Sequence, residues 1–174
     1  KFTQILDKYR KYAFSERDKG DKFERLMAAY LQTDPKYANE FGKVWLWNEF
    51  PGRNDLGGND TGIDIVALTN KGEYWAIQCK CYAEGATIDY KAVDSFLSTS
   101  SRQFKNEQLQ TTSFVHRLWI DTPGRRWSSN AEKVILNQNI PLTRLGLFAL
   151  EEAPVQWDKL DEGISGSSAL VKKY

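Results

Sequence analysis

Apolar and polar residues recur along the chain with two different periods, which divide it into helices and strands. Apolar residues near helical spacing predict a first amphipathic helix over residues 2–13 and a second from about Asp21 to Thr33. The stretch "SERDKG" is expected to separate these two helices. Asp34-Pro35 is expected to end the second helix, because the residue before a proline is steered out of helical dihedrals.

Segments rich in branched and aromatic residues, bounded by turn formers, predict the strands of the chain. These strands are expected at 43–50, 62–69, 73–82, 114–120 and 142–150. Residues 70–72, "NKG", have the composition of a hairpin turn between the second and third strands. Residues 51–60 are dense in glycine and turn formers, so they are expected to be a loop.

Two more helices are predicted between the later strands, at about 89–98 and from Ser129 to about Asn137. Ser129 and Glu132 have the spacing of a capping box at the start of the second of these. An antiparallel hairpin followed by crossover helices predicts an α/β fold, with a mixed central β-sheet and helices on both of its faces. The polar segment 99–113 has no assignable period, and "GISGSS" (163–168) is typical of a linker.

Length and composition restrict the class of protein. The 174 residues, 41% of them hydrophobic and 27% charged, indicate one globular domain rather than a disordered chain. No apolar run approaches the roughly 18 residues of a membrane span, so no membrane partner is expected. Cys79 and Cys81 lie too close on one strand to form a disulfide, which favours a reducing, cytoplasmic compartment. With a net charge of +1, any contact with a polyanion must depend on local positive charge.

The two ends of the chain bear on its domain organisation. It begins at Lys1 and ends at "SALVKKY", which we interpret as a piece of a longer polypeptide. Residues 1–150 are expected to form the functional domain, with an N-terminal helix within 1–18 and a core over 19–150. Residues 151–174 are expected to be an extension or linker toward a further domain.

Three polar residues stand out in the predicted hairpin "GIDIVALTNKGEYWAIQCKCY". Side chains alternate across a strand, so Gln78 and Lys80 share one face, while the other face of that strand is apolar throughout. Counting six residues back from Asn70 and six forward from Gly72 places Asp64 opposite Gln78. A carboxylate, an amide and an ammonium group are therefore expected to converge at one open end of an otherwise buried hairpin.

This set of groups suits the hydrolysis of a phosphodiester. A hard divalent cation held by oxygen ligands neutralises charge on the phosphate and activates a water molecule. Asp64, the Gln78 side-chain carbonyl and the main-chain carbonyl of Cys79 are the expected ligands. Lys80 is placed to hold the attacking water or to stabilise the transition state. Glu24, at the edge of the second helix's apolar stripe, is a candidate second acid.

Each candidate also has a purely structural reading. Asp64, Gln78 and Lys80 would then satisfy one another inside the sheet, although a buried Asp–Lys pair is often neutral or costly for stability. Glu24 would then be an ordinary solvated helix residue. Asp60 is interpreted as an ordinary loop residue rather than as part of the site.

The remaining metal-ligating residue types are interpreted as structural. Zinc needs more ligands than Cys79, Cys81 and the single histidine, His116, supply. The two cysteines are interpreted as small buried hydrophobes. His116 is interpreted as a structural residue of its strand.

A basic stretch, "TPGRRWSSN" (122–130), is the main candidate for contact with a nucleic acid. Arg125 and Arg126 stand beside hydroxyl groups at a predicted helix start, where phosphates bind readily, and Arg102 and Lys105 are candidates for the same surface. Such contacts would position the phosphate backbone without reading bases. The alternative is that these charges form a solvated face.

The pattern "GID…QCK", with Gln78 fourteen positions after Asp64 and a preceding helix that carries "KFERLM", resembles the Mrr-like branch of the PD-(D/E)xK restriction endonuclease superfamily. The resemblance covers roughly residues 15–150 and implies a restriction-endonuclease-like core. It implies that Asp64 binds metal, that Gln78 and Lys80 form the QxK pair, and that Glu24 is the first-helix glutamate. It further implies a Mg²⁺-dependent endonuclease, with Mn²⁺ as a substitute, acting on double-stranded DNA. One departure is Cys81, where this branch commonly has a basic residue.

Within that branch, the chain is similar to the nuclease domain of Type ISP enzymes, which are single-polypeptide, Type I-like restriction–modification enzymes. This similarity implies fusion to a helicase-like ATPase and a methyltransferase, a bacterial cytoplasmic location and a transient nuclease dimer. The alternative from another functional class is an inactive module that binds or docks on DNA with the same fold.

Overall fold

The computed structural model describes residues 1–58, 61–82, 86, 90–122, 129, 133, 136 and 138–171, with the backbone alone at residue 90 and over 165–171. The helices are α1 (Phe2–Tyr12), α2 (Glu16–Thr33), α3 (Pro35–Ala38), α4 (Tyr90–Ser100), α5 (Leu147–Glu151) and α6 (Trp157–Val171). The strands are β1 (Phe41–Leu46), β2 (Ile65–Thr69), β3 (Tyr74–Lys80), β4 (Gln103–Lys105), β5 (Thr111–Asp121) and β6 (Leu142–Leu145). Two short 3₁₀ helices, Trp47–Glu49 and Pro51–Leu56, follow β1.

The strands form one mixed six-stranded sheet in the order β1-β2-β3-β5-β4, with β6 also paired to β5. The pairs β1–β2, β2–β3 and β4–β5 are antiparallel. The pairs β3–β5 and β5–β6 are parallel, as crossover connections require. The predicted mixed α/β fold is confirmed.

Two hydrophobic cores lie on the two faces of this sheet, which is why helices cover both. Ile77 and Cys79 of β3 belong to a core with residues of α1 and α2, whereas Tyr74 and Ala76 belong to a second core with residues of α4. The alternation predicted along β3 is therefore the one observed. Gln78 shares its face with the second core.

Helix α2 begins five residues earlier than the apolar stripe predicts. Ser15 caps it: its hydroxyl accepts a hydrogen bond from the main-chain N–H of Asp18 at 3.0 Å, which satisfies one of the free donors of the first turn. The stretch expected to interrupt the helices is therefore mostly the first turns of α2. Ser15, Glu16 and Arg17 are exposed, so the polar composition at this point marks a solvent-facing helix start rather than a break.

Several strands have different lengths from those predicted. Residues 47–50 and the apolar residues 147–150 were expected to extend strands, but they lie mainly in a 3₁₀ helix and in α5. The segment 99–113 contains β4 and the start of β5, which form an antiparallel hairpin. Short apolar runs fit a strand or a buried helical turn equally well, so local pattern does not separate the two.

The end of the chain is also different from the expectation. The stretch 163–168, predicted as a linker, is helical and lies within α6. Trp157 at the start of this helix is buried, with ring centroids 4.4 Å from Phe2 and 5.2 Å from Tyr30. The predicted helix from Ser129 to Asn137 lies mostly outside the described residues, as does Glu132 of its capping box. No helix in the described ranges has the length and apolar character needed to cross a bilayer.

Candidate active site

The β2–β3 hairpin brings Asp64 against β3. Ile65 pairs with Ile77, so the same register places Asp64, one residue earlier, opposite Gln78. The main-chain N–H of Asp64 donates to the Ile77 carbonyl at 2.9 Å. The main-chain N–H of Cys79 donates to the Asp64 carboxylate, also at 2.9 Å. Backbone on both sides therefore fixes the carboxylate, as the turn count predicts.

Gly62 allows the segment before Asp64 to pack closely against α4. Its φ of +79° lies in the left-handed region that side chains disfavour. An added Cβ would lie only 3.2 Å from both the Phe96 main-chain nitrogen and the Ser95 hydroxyl of α4. The turn before Asp64 therefore requires glycine for its backbone conformation and for close packing against α4.

Gln78 and Lys80 complete the polar end of β3. Gln78 is 2% exposed, and its side-chain oxygen has no hydrogen-bond partner in the described structure. Lys80 is half-buried, and its ammonium group forms no ion pair within the described ranges. Both side chains line the same cavity as Asp64, so the three predicted groups do converge.

Glu24 reaches the site from α2, and its carboxyl group lies close enough to Asp64 to interact with it. Burial, followed by the nearby Asp64 charge, raises the pKa of Glu24. Burial also raises the pKa of Asp64, although the Cys79 N–H and the Lys80 charge act in the opposite direction. Two carboxyl groups in a shielded site disfavour full ionisation unless positive charge is supplied.

A cavity of about 980 Å³ opens between α2, the end of β1 and the hairpin. Its lining residues come from four segments of the chain. They are Arg17, Asp21, Glu24, Arg25, Leu46, Trp47, Asn48, Thr61, Gly62, Ile63, Asp64, Gln78 and Lys80. The predicted site residues therefore have open space beside them rather than an apolar seal.

Trp47 connects the cavity wall to the segment that carries Asp64. Its main-chain N–H donates to the Asp64 carbonyl at 2.8 Å. Its indole N–H donates to the Gly58 carbonyl at 2.5 Å. These two bonds hold both ends of the loop before β2, so Trp47 contributes to the placement of the carboxylate.

The donor set fits a hard divalent cation. Asp64 and Glu24 supply carboxylate oxygens, and Gln78 supplies a buried oxygen with no other described partner. The Gln78 amide has nearly the same shape when rotated end over end, so its oxygen can be turned toward a cation at small steric cost. The described residues contain no cluster of three His, Cys, Asp or Glu side chains that could hold a metal, so neutral oxygens must complete such a site. The Cys79 carbonyl stays a predicted ligand.

Two of the four predicted DNA-contact residues, Arg102 and Lys105, lie in the described part of the chain, and neither lines the cavity. Arg125 and Arg126 lie outside the described residues, as does Asp60. Lys105 pairs with Thr111 at the start of β5, whereas Lys80 pairs with the residue ten positions later, which is roughly 30 Å along the strand. Arg102 lies between these positions and donates to the Asp55 carbonyl at 3.4 Å. Their role in DNA contact stays a prediction.

The cysteines and the histidine have structural environments. Cys79 is buried and Cys81 half-buried, and burial raises the pKa of both thiols. The His116 ring lies 4.1 Å from the Trp75 ring and hydrogen-bonds the Thr143 hydroxyl at 2.9 Å. None of the three side chains lines the cavity, and their structural interpretation fits these contacts.

Sequence reasoning missed most of the α2 wall of the cavity. Arg17, Asp21, Glu24 and Arg25 follow the i, i+4, i+7, i+8 spacing of a single helix face. Because the start of α2 was expected at about residue 21, Arg17 fell outside the predicted helix. The spacing itself was the signal that identifies this face.

A family model described as a restriction endonuclease, of the Mrr catalytic type, matches residues 32–167. The chain belongs to this restriction endonuclease family. The match includes Asp64, Gln78 and Lys80, and it begins after Glu24. It also continues past residue 150 into α6. The family assigns the chain to the nuclease domains of restriction enzymes.

Two solved structures resemble this nuclease domain. The ATP-dependent Type ISP restriction–modification enzyme LlaBIII, bound to DNA, is 24% identical with a TM-score of 0.64 over 88% of this chain and 9% of its own. The MspJI restriction endonuclease, in complex with a 27-mer oligonucleotide, is 14% identical with a TM-score of 0.55 over 92% of this chain and 34% of its own. At these identities the likeness is one of fold. No curated protein sequence matches the chain significantly.

Proposed function

We propose that this domain is a metal-dependent endonuclease that hydrolyses phosphodiester bonds in double-stranded DNA, with Mg²⁺ as its cofactor and Mn²⁺ as a substitute. The observation that carries the proposal is the buried Gln78 oxygen, which lacks a described partner and lines one cavity with Asp64 and Lys80. A buried acceptor without a hydrogen-bond partner costs stability. Coordination of a bound ligand by this oxygen would explain why it is buried beside carboxylates.

Each side chain has a distinct role in this proposal. Asp64, Glu24 and Gln78 would hold the cation, and the Cys79 N–H keeps the Asp64 carboxylate oriented. The bound cation would neutralise phosphate charge and lower the pKa of a coordinated water. Lys80, which has no described ion pair, is available to orient the attacking water and to offset charge on the phosphate oxygens. The remainder of the catalysis is positioning of the DNA strand.

The structural neighbours support DNA as the substrate. LlaBIII and MspJI have this fold and were solved with DNA or an oligonucleotide. An open cavity bearing arginine and lysine side chains offers a path for a phosphate to the carboxylates.

The test is the nicking of supercoiled plasmid with Mg²⁺ by the parent protein and by Asp64→Asn, Lys80→Ala and Asp94→Asn variants. The first two variants are expected to lose at least about a hundredfold in rate, as for removal of a group that stabilises developing charge. Asp94→Asn changes an exposed acid of α4 that lies outside the cavity, so it is expected to nick like the parent. DNA affinity of the catalytic variants, measured by fluorescence anisotropy, is expected to remain.

Two results would contradict this function. Equal nicking by the parent and both catalytic variants would identify a contaminating nuclease. DNA binding by the parent without nicking in Mg²⁺ or Mn²⁺ would favour the alternative, an inactive DNA-binding or docking module.

We also propose that the domain is the cleavage module of a longer enzyme with helicase-like ATPase and methyltransferase domains. The likeness to LlaBIII, of which this chain covers 9%, supports this arrangement. An antibody raised against this 20.0 kDa chain should detect a much larger polypeptide in the source cells. A single band at the mass of the chain would contradict the proposal.

A further inference from the structure

The amino-terminal part of α2 carries an arginine that the proposed chemistry does not use. Arg17 is exposed and lines the rim of the catalytic cavity. It forms no hydrogen bond or ion pair with any residue in the described part of the chain. An exposed guanidinium at the mouth of a polar cavity has five donors available to a ligand.

The acids on either side of Arg17 in the sequence are neutralised by other residues. Glu16 pairs with Lys19 at 2.9 Å, and Asp18 pairs with Lys22 at 3.2 Å. Asp21, one turn after Arg17, has the spacing of a helical ion pair but does not form one with it within 4 Å. The Arg17 charge is therefore directed to the cavity without a compensating carboxylate.

Asp21 lies between Arg17 and Glu24 on the helix face that lines the cavity. Its negative charge raises the pKa of both Glu24 and Asp64. The acids of this helix face therefore lie between two arginines, Arg17 at the amino-terminal end and Arg25 beyond Glu24. A phosphodiester strand with a divalent cation is complementary to this arrangement.

The distance between Arg17 and Glu24 along α2 indicates which phosphate of a bound DNA strand Arg17 would contact. Seven residues of an α-helix span about 10 Å along its axis. One DNA strand presents a phosphate about every 3.4 Å of axial rise. We propose that Arg17 binds a backbone phosphate that flanks the scissile position on double-stranded DNA, and so positions the strand for cleavage. This inference rests on the proposed nuclease function, and its contact is with the backbone, so it adds affinity without sequence preference.

The experiment measures binding without cleavage. Anisotropy titrations of a short labelled duplex in EDTA, repeated between about 50 and 200 mM salt, give the affinity and its salt dependence. Arg17→Gln is expected to weaken binding about tenfold at low salt, the lower end for a hydrogen bond to a charged group. The slope of log K against log salt is expected to fall by about one. Arg17→Lys keeps the charge and should retain the parental slope.

Lys71→Gln is the matched control, because Lys71 is exposed at the hairpin turn and is absent from the cavity lining. It is expected to keep the parental affinity and slope. Binding by Arg17→Gln that equals the parent and this control would overturn the proposal, as would a parent that does not bind the duplex. A lower melting temperature of Arg17→Gln with an unchanged salt slope would show a structural role instead, and would overturn it too.

The same titrations separate this proposal from the proposed function. Weak binding by Arg17→Gln in a protein that never nicks plasmid would support the phosphate contact and contradict the nuclease. Parental binding by Arg17→Gln in a protein that nicks efficiently would leave the nuclease and overturn the contact.

Discussion

Replacing Gln78 by methionine should make the metal-free protein more stable while removing its proposed function. Gln78 is 2% exposed, and its side-chain oxygen has no partner in the described structure. A buried acceptor without a partner costs about 1–3 kcal/mol. Methionine has a similar length and no strong acceptor, and swaps of similar volume usually cost less than about 1.5 kcal/mol. The expected net gain in the free energy of unfolding is about 1–2 kcal/mol.

The measurement is thermal unfolding by circular dichroism in EDTA and in Mg²⁺. For a domain of this size, a gain of 1–2 kcal/mol corresponds to about 2–8 °C in Tm. In EDTA, the Gln78→Met variant should therefore melt above the parent. At Mg²⁺ about a hundredfold above its Kd, binding should stabilise the parent by about 2.7 kcal/mol. The variant has lost a ligand and should gain less, so the order of the two melting temperatures should reverse.

Gln32→Met provides the control, because Gln32 is exposed and its amide already donates to the Ala28 carbonyl at 3.2 Å. Its free energy of unfolding should stay within about 0.5 kcal/mol of that of the parent, so its Tm should change little. If Gln78→Met melts below the parent in EDTA, the Gln78 amide is satisfied in the folded protein and the reasoning is wrong. An Mg²⁺-dependent gain equal to that of the parent would remove Gln78 from the ligand set.

Three further changes test other parts of the structure. Arg117→Leu should lower the free energy of unfolding in urea by about 3 kcal/mol, since the buried guanidinium donates to two carbonyls and two hydroxyls; a loss below 1 kcal/mol would contradict this. Burial and the bond to Asp161 raise the Tyr9 pKa, so the folded state keeps a proton that the unfolded chain loses above pH about 10. Stability should therefore fall as pH rises above 10, by up to about 1.4 kcal/mol per pH unit for this group, and less steeply in Tyr9→Phe; equal slopes would refute the assignment. Trp47→Phe removes the bond to Gly58 and should cost about 1 kcal/mol and slow plasmid nicking about tenfold, whereas unchanged nicking would show that the loop does not depend on it.

The convergence of Asp64, Gln78 and Lys80 was predictable because it is local. A tight turn at 70–72 sets the register of an antiparallel hairpin, and the period of two then decides which side chains share a face. The observed pairing of Ile65 with Ile77 follows the same count. Few residues and no distant contact are needed for this inference.

The wall opposite the hairpin was decided by tertiary structure. Whether Glu24 touches Asp64 depends on how α2 packs on the sheet, and neither its spacing nor its polarity specifies that contact. Likewise, Trp47 belongs to a short aromatic run whose composition is typical of a strand. Only the structure shows that it lies just after the end of β1, where it bonds to Gly58 and Asp64. Competing local conformations of similar energy are separated by non-local packing.

The chain by itself therefore determined its class of fold, the central hairpin and three residues of the candidate site. The cavity, its α2 rim with Arg17, and the folding of the last helix onto Phe2 and Tyr30 required the complete structure. The physical reason is the range of the interactions. Turn geometry and strand alternation act between near neighbours in sequence, whereas a cavity is formed by the packing of segments that are far apart in the chain.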